Sequence, residues 1–390
     1  MDFSVGPIEE KIRKDVREFV KEELPASWEG AIGSGDDNWG FSLKIRKKLV
    51  GKGWLTMSWP EEYGGMGASV MAQTVFNEEM AYHRIPGRDG FGLKMLAPTL
   101  MIHGTDRQKA KYLPPLARGE GQWCQGYSEP ESGLDLASLQ CSAVEDGDNF
   151  VINGTKVWTT NAHRADHLFF LARTDPDAPK HKGISFFLTE MDNPGITVDP
   201  IHSMDGSHHI NMINFDNVKV PRTNLVGEKN RGWYVAATLL DFERSGIEHI
   251  AGAKRLLEEI ITFALNNSRN RVLLANDPLV RRRLSEMAVS VEAGRLLSYR
   301  IAWMQEQGLV PNKEASMGKL FGTELLQKVA ALGLEVLGMF GQLEPDSKYV
   351  PLKGRIEKAA MFFVSVTLAG GTSEIQRNII ATRGLGLPRL

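Results

Sequence analysis

The chain predicts a multidomain α+β protein with a helical N-terminal region, a β-barrel or sandwich in the middle and a C-terminal antiparallel four-helix bundle. Three observations carry this. Apolar residues first recur at helical spacing among charged ones. From about Gly121 to Gly232 short apolar and aromatic runs take over, separated by Pro, Asp, Asn and Gly. Beyond that, long Leu/Ile/Ala stripes return at helical spacing. The boundaries this sets are 1–120, 121–232 and 233–390, and 390 residues suffice for two or three sizeable cores.

In the first region Ile8, Ile12, Val16, Phe19 and Val20 form an amphipathic stripe that Pro25 ends. Gly33-Ser34-Gly35 resembles a dinucleotide loop in outline, but Asn38 stands where its third glycine belongs and no strand precedes it. Helices follow over 41–50, 70–81 and 93–102, with a turn-rich connector at Trp54–Gly65. In the middle region Leu168–Leu171 and Ile184–Leu188 are strands, and Ile213, Phe215, Val218 and Val220 continue the pattern until Pro221. In the last region Leu256, Ile260 and Ala264 lie beside Leu257, Ile261 and Leu265 as one broad buried stripe. Further helices are expected over 284–307, 319–338, 356–368 and 373–383.

Composition narrows the function. At 42% hydrophobic and 24% charged with a net charge of −2, the chain is globular and lacks the basic surplus of a nucleic-acid or anionic-membrane binder. No apolar run reaches membrane-spanning length, and the N-terminus lacks the apolar core of a signal peptide. Cys124 and Cys141 have no metal-like spacing, which points to a reduced cytoplasmic compartment. His208-His209 has no acidic or Cys partner at ligand spacing, so no metal site is expected.

The chemistry gathers in 125–161, QGYSEPESGLDLASLQCSAVEDGDNFVINGTKVWTTN. A polar loop, Ser128–Gly133, opens it. Asp146-Gly147 and Asn153-Gly154 read as turns around a short strand, Phe150–Ile152. Lys156–Asn161 then places Trp158 beside Thr159 and Thr160. Such a hydroxyl loop and Trp-x-Thr strand end can hold a planar, hydrogen-bonding cofactor. They equally suit an ordinary hairpin with a buried Trp.

The segments SEPESGLD and NGTKVWTTN resemble the flavin-binding segment of the acyl-CoA dehydrogenase family, and the likeness extends over nearly the whole chain. WLTMSWPEEYGG, GTDRQKAKYLPPLARGE and the C-terminal Ala369-Gly370-Gly371-Thr372-Ser373-Glu374-Ile375-Gln376-Arg377 also match. The resemblance implies three domains, with FAD between the β domain and the C-terminal bundle and a neighbouring subunit completing its site. It implies that Tyr127 and Ser128 line the isoalloxazine, that Trp158 packs near it and that Thr160 hydrogen-bonds near N5. Thr372 and Glu374 also contact the cofactor. Ser132, Asp241, Arg244 and Gly371 belong to the acyl-CoA site, and the His208-His209 loop lies near the substrate.

The implied reaction is α,β-dehydrogenation of an acyl-CoA to the trans-2-enoyl-CoA. A carboxylate removes the α proton while the β hydride goes to flavin, and electrons pass to an electron-transfer flavoprotein. Such a base needs a dry pocket that raises its pKa. The family places it at one of two positions. The C-terminal one is Gly370 here, which cannot act as a base. The other lies before an arginine on the first bundle helix, where Leu240-Asp241-Phe242-Glu243-Arg244 supplies Glu243, as in the isovaleryl-CoA and long-chain branches. Glu248 matches no base position, and a helix carboxylate such as Glu243 is more commonly an ion-pair partner.

Three departures stand out. Leu134 replaces a loop serine. The RxxFG segment that reaches a partner's flavin reads Ser268–Leu274, so either Arg269 or Arg271 serves the pyrophosphate. The QxxGGxG segment reads Glu335-Val336-Leu337-Gly338-Met339-Phe340-Gly341, with Gly338 the retained cofactor contact. A homotetramer, a dimer of dimers, is the implied assembly. The altered segments also fit a heterotetramer with a paralogue, as in bacterial members acting on steroid side chains. Two alternatives stay open: an acyl-CoA oxidase or flavin monooxygenase on the same fold, and a non-catalytic partner subunit.

Overall fold

The computed structural model describes residues 6–31, 38–239 and 245–388. Helices α1 (Pro7–Glu23), α2 (Trp39–Gly51), α3 (Val70–Tyr82), α4 (Ala97–His103) and α5 (Asp106–Ala117) come first. Strands β1 (Trp123–Gly126), β2 (Ser142–Asp146), β3 (Asn149–Thr160), β4 (His167–Arg173), β5 (Ile184–Glu190), β6 (Ile196–His202), β7 (His208–Pro221) and β8 (Leu225–Val226) follow. Helices α6 (Gly232–Leu239), α7 (Ile247–Asn266), α8 (Pro278–Glu306), α9 (Asn312–Leu337), α10 (Arg355–Val366) and α11 (Ser373–Ile379) complete the chain. The succession of helices, sheet and helices is the one the sequence predicts. By contact the chain forms two compact units, one of Met1–Gly33, Ala68–Ile85 and Arg244–Leu390, the other of Ser34–Gly67 and Pro86–Glu243.

In the first unit the α7 row Leu256, Ile260 and Ala264 is buried as expected, and Leu257 with it, but Ile261 is half-buried and Leu265 is exposed, so the stripe is narrower than predicted at its C-terminal end. Leu256 and Ile260 pack with Val329 and Val336 of α9 and Ile356 of α10. Helix α3 is tied to α1 through charge. Buried Glu79 accepts from Arg13 Nε at 3.0 Å and Arg17 Nε at 2.9 Å. Burial works to raise its pKa, but His83 and the Arg17 guanidinium outweigh burial and push the carboxyl down to about 2. Helices α8 and α9 start earlier than the apolar stripe suggests. Asp277 Oδ1 accepts from Leu279 N at 2.9 Å, and Pro278 suits the first helical turn, so cap chemistry sets the start of α8.

In the second unit the sheet runs β6-β7-β3-β2-β4-β5-β8, with β1 parallel to β4. Phe169, Phe170, Phe186 and Phe187 on β4 and β5 have no exposed surface, which explains the unbroken apolar runs. The expected helix over 93–102 begins with a π-helical turn, Gly90–Leu96, capped by Asp89. That fully buried carboxylate also accepts from Trp123 N at 3.0 Å and Gln122 Nε2 at 2.9 Å, tying the turn to β1. Burial pushes its pKa up to about 6.

One turn reading fails. Asp146-Gly147 does turn the β2–β3 hairpin, but Asn153-Gly154 lies inside β3. Ile152 and Gly154 face Val218 and Phe215, so β7 bulges by one residue there. Glycine is needed because a Cβ at 154 would lie 2.8 Å from Cys141 Cα. A second bulge shapes the site.

Candidate functional site

Between Lys156 and Thr159, β3 carries one more residue than the facing stretch Ile213–Asn211 of β7. Trp158 takes the extra place, with φ +62°, and is 60% exposed. A left-handed conformation costs an L residue about 1–2 kcal/mol, and an exposed indole returns little burial. A buried hairpin Trp is therefore excluded, and a broad apolar face is held out on a rigid strand at the expense of stability. Its neighbours are also unusual. Asn161 has φ +57°, and Thr159 Oγ1 and Asn161 Oδ1 are buried without a partner among the described residues.

The Ser128 loop is fastened beside this strand. Val157 N donates to Ser128 O at 2.9 Å, and Glu129 and Ser132 exchange backbone hydrogen bonds at 2.9 and 3.1 Å. Ser132 Oγ donates to Asp135 O at 2.8 Å, so that hydroxyl closes its own loop. Beneath lies an ion pair that strand alternation conceals, since a strand lysine normally reads as solvent-facing. Lys156 has no exposed surface, and its Nζ donates to Glu129 Oε1 at 2.7 Å and Tyr127 O at 3.2 Å. Glu129 also accepts from Gln140 N at 2.6 Å and Cys141 N at 2.9 Å. The Tyr127 ring meets Phe169 and Phe186 edge-on at 6.0 and 6.4 Å, and burial pushes its hydroxyl pKa far up. Tyr127, Ser128 and Ser132 thus lie in one loop fastened beside the strand that carries Trp158 and Thr160. Leu134 is 67% exposed, so the missing serine leaves a solvent-facing position.

In the other unit, Gly370 (φ +63°) and Gly371 (φ +90°) turn the chain into α11, where Thr372 Oγ1 caps Ile375 N at 3.3 Å. Lys319 Nζ holds this turn by donating to Gly371 O at 2.7 Å and Thr367 O at 3.3 Å. Burial brings the Lys319 pKa down to about 8. A Cβ built on Gly370 meets nothing within 4 Å, so the position is open as well as bare. Glu374 is exposed, and its backbone amide and the Thr372 hydroxyl hold its carboxyl below the usual range. A cavity of about 280 Å³ beside α11 is lined by Thr367, Ser373 and Arg377, and Ser373 Oγ is buried without a partner among the described residues.

Arg269 and Arg271 separate clearly. Arg269 Nη2 donates to Val336 O at 2.7 Å and Glu335 O at 3.2 Å, capping the end of α9 just before Gly338. Arg271 is exposed, sits at φ +66° and makes no hydrogen bond among the described residues. Glu335, the departure from Gln, is paired with Arg283. Asp241, Glu243 and Arg244 lie outside the described residues. Among the described residues no cluster of His, Cys, Asp or Glu suits a metal ion, and no helix is long and apolar enough to cross a membrane.

Three family models match. "Acyl-CoA dehydrogenase, N-terminal domain" covers residues 7–120, the middle domain 124–218 and the C-terminal domain 230–385. The chain is 34% identical to the acyl-CoA dehydrogenase FadE26 of Mycobacterium tuberculosis, over 100% of this chain and 99% of that one. Among solved structures, the Tcur3481-Tcur3483 steroid ACAD is 34% identical with a TM-score of 0.91 and full coverage of both chains. The ChsE4-ChsE5 complex from Mycobacterium tuberculosis is 34% identical with a TM-score of 0.90, again with full coverage of both chains.

Proposed function

The chain belongs to the acyl-CoA dehydrogenase family of FAD-dependent oxidoreductases acting on CH–CH bonds, and from that premise we propose that Glu243 is its base and a bulky acyl-CoA its substrate. Gly370 carries the reading. The C-terminal base position holds a glycine in open space, so no side chain there can take the α proton. Glu243 occupies the alternative position. Removal of an α proton beside a thioester requires a base near the operating pH, and a desolvated carboxylate meets that need.

Bound FAD supplies the hydride acceptor. The residues present fit it. The strained, exposed face of Trp158 gives the isoalloxazine a stacking wall, and Ser128, Thr160 and the Tyr127 segment surround that wall with hydrogen-bonding groups. Arg271 takes the pyrophosphate, because Arg269 is committed to the end of α9. Gly338, Thr372 and Glu374 complete the cofactor contacts, and Ser132, Asp241, Arg244 and Gly371 those to the thioester substrate. Electrons leave to an electron-transfer flavoprotein.

Trp158→Gly separates these roles from stability. The melting temperature should hold or rise, since relief of about 1 kcal/mol of left-handed strain offsets the added freedom of the unfolded chain. Flavin retention through gel filtration should fall. A variant that melts lower and keeps its flavin contradicts the assignment of Trp158.

The substrate and assembly follow from the relatives named above. One is a steroid ACAD and another a two-component complex, which supports a polycyclic or branched acyl group and a heterotetramer with a paralogue. The test is a panel of acyl-CoA esters with an electron-transfer flavoprotein, run with and without co-expressed paralogues. Bulky esters should exceed short straight ones by about 10- to 100-fold in kcat/KM. Preference for a short straight chain rejects the substrate class, and stoichiometric peroxide moves the acceptor to oxygen.

A further inference from the structure

A group of imidazoles sits where β6, β7 and the turn after β3 meet, and it connects to Trp158 through one amide. Asn211 of β7 has no exposed surface. Its Nδ2 donates to Thr159 O at 3.1 Å and to His163 Nδ1 at 3.2 Å, and its Oδ1 accepts from His208 Nε2 at 2.8 Å. The orientation is forced, because a reversed amide would set Oδ1 against the Thr159 carbonyl. It follows that His163 Nδ1 must accept, which makes that ring neutral with its proton on Nε2. His208 must carry a proton on Nε2. The two rings stack with centroids 4.1 Å apart, and His202 lies 5.7 Å from His208.

We propose that Asn211 is a positioning residue for Trp158, and that its hold lasts only while His163 is neutral. The Asn211 amide fixes the Thr159 carbonyl, the residue directly after the bulge, and so secures one end of the strained turn that holds the indole out. A proton on His163 Nδ1 would put N–H against N–H. The amide must then rotate, and the bonds to Thr159 and His208 are lost together. The surrounding charges act in one direction on His163. Arg164 on its own turn and His208 and His209 on β7 all disfavour an added cation there, and Asp205 acts on His209. Partial burial of the ring, with His208 beside it, keeps the His163 pKa below its ordinary 6.5 although the residue as a whole is exposed. The neutral, locked form is therefore complete above that value and is lost as pH falls below it.

The link from this lock to flavin rests on Trp158 as the isoalloxazine wall. The lock itself does not, and the two are tested separately. Hydrogen exchange of the flavin-loaded chain is followed on the peptide over 155–163 and corrected for intrinsic pH dependence. Wild-type protection should drop about tenfold between about pH 8 and about pH 5.5, the loss expected for one or two buried hydrogen bonds. His163→Gln, at an exposed position, should abolish that step because it does not titrate. Asn211→Ala should be unprotected at both pH values, and where it does not fold, Asn211→Ser serves. A wild-type chain flat in pH, or a His163→Gln variant that keeps the step, overturns the proposal. Flavin release is measured on the same samples together with Trp158→Ala. If Trp158→Ala retains flavin, the cofactor reading falls while the exchange result stands.

Discussion

Glu243→Gln is expected to lower turnover by about 10³-fold or more and to leave FAD bound, the loss typical of removing a positioned general base. The substitution keeps the shape and removes the proton acceptor. Exchange of the substrate α proton with deuterated solvent should stop in step with turnover, because it reports deprotonation without hydride transfer. Other carboxylates are poorer candidates. Glu374, four residues beyond Gly370, is exposed, and its own backbone amide with the Thr372 hydroxyl holds its carboxyl low, the opposite of what a base for a carbon acid needs. Glu248 lies on α7 without the sequence context of a base. If Glu248→Gln blocks exchange and Glu243→Gln does not, the assignment is wrong.

Gly370 gives this a second handle. A side chain there meets nothing within 4 Å, although φ +63° makes any L residue strained by about 1 kcal/mol. Gly370→Glu placed on Glu243→Gln should recover part of the lost exchange from the family's other base position. No recovery, with the double variant folded and yellow, means that the loop held by Lys319 does not present a carboxylate to the substrate.

Much of the fold was legible because it rests on local periodicity. The stripe of α7 and the unbroken apolar runs of β4 and β5 follow from which faces are covered, and those faces repeat in the chain. Helix starts were less legible. The first turns of α8 are set by Asp277 and Pro278, and their polar sequence carries no apolar stripe. The bulges were not legible at all. A bulge is a mismatch in count between two strands distant in sequence, so Asn153-Gly154 passed for a turn, and Trp158 gave no sign of being thrown outward. The site divides in the same way. Resemblance supplied Glu243 and the flavin residues. Asn211 and Lys319 carry no motif, and Lys156, although inside NGTKVWTTN, shows no role there, because their roles exist only once partners from remote segments are in place.

Lys156→Met should destabilise the chain by about 3–5 kcal/mol, the usual consequence of leaving one member of a buried ion pair alone. The pair is fully used in the native state. Lys156 Nζ is shared between Glu129 and the Tyr127 carbonyl, and both Glu129 oxygens accept backbone N–H groups. Methionine preserves most of the volume, so the loss reads the stranded carboxylate more than a cavity. Denaturant midpoints at a constant m-value measure it. Glu129→Gln on top of Lys156→Met should return only part, since the neutral amide oxygen can accept from Cys141 N without a buried charge while its NH2 is set against Gln140 N–H. Flavin retention should recover less than stability. The loop from Ser128 to Ser132 is placed by the bridge from Glu129 to Lys156, and a folded chain whose loop has drifted still lacks the hydroxyl edge of the proposed cofactor site. A single variant losing less than about 1 kcal/mol would mean that water reaches this pair, and the surface range would then apply.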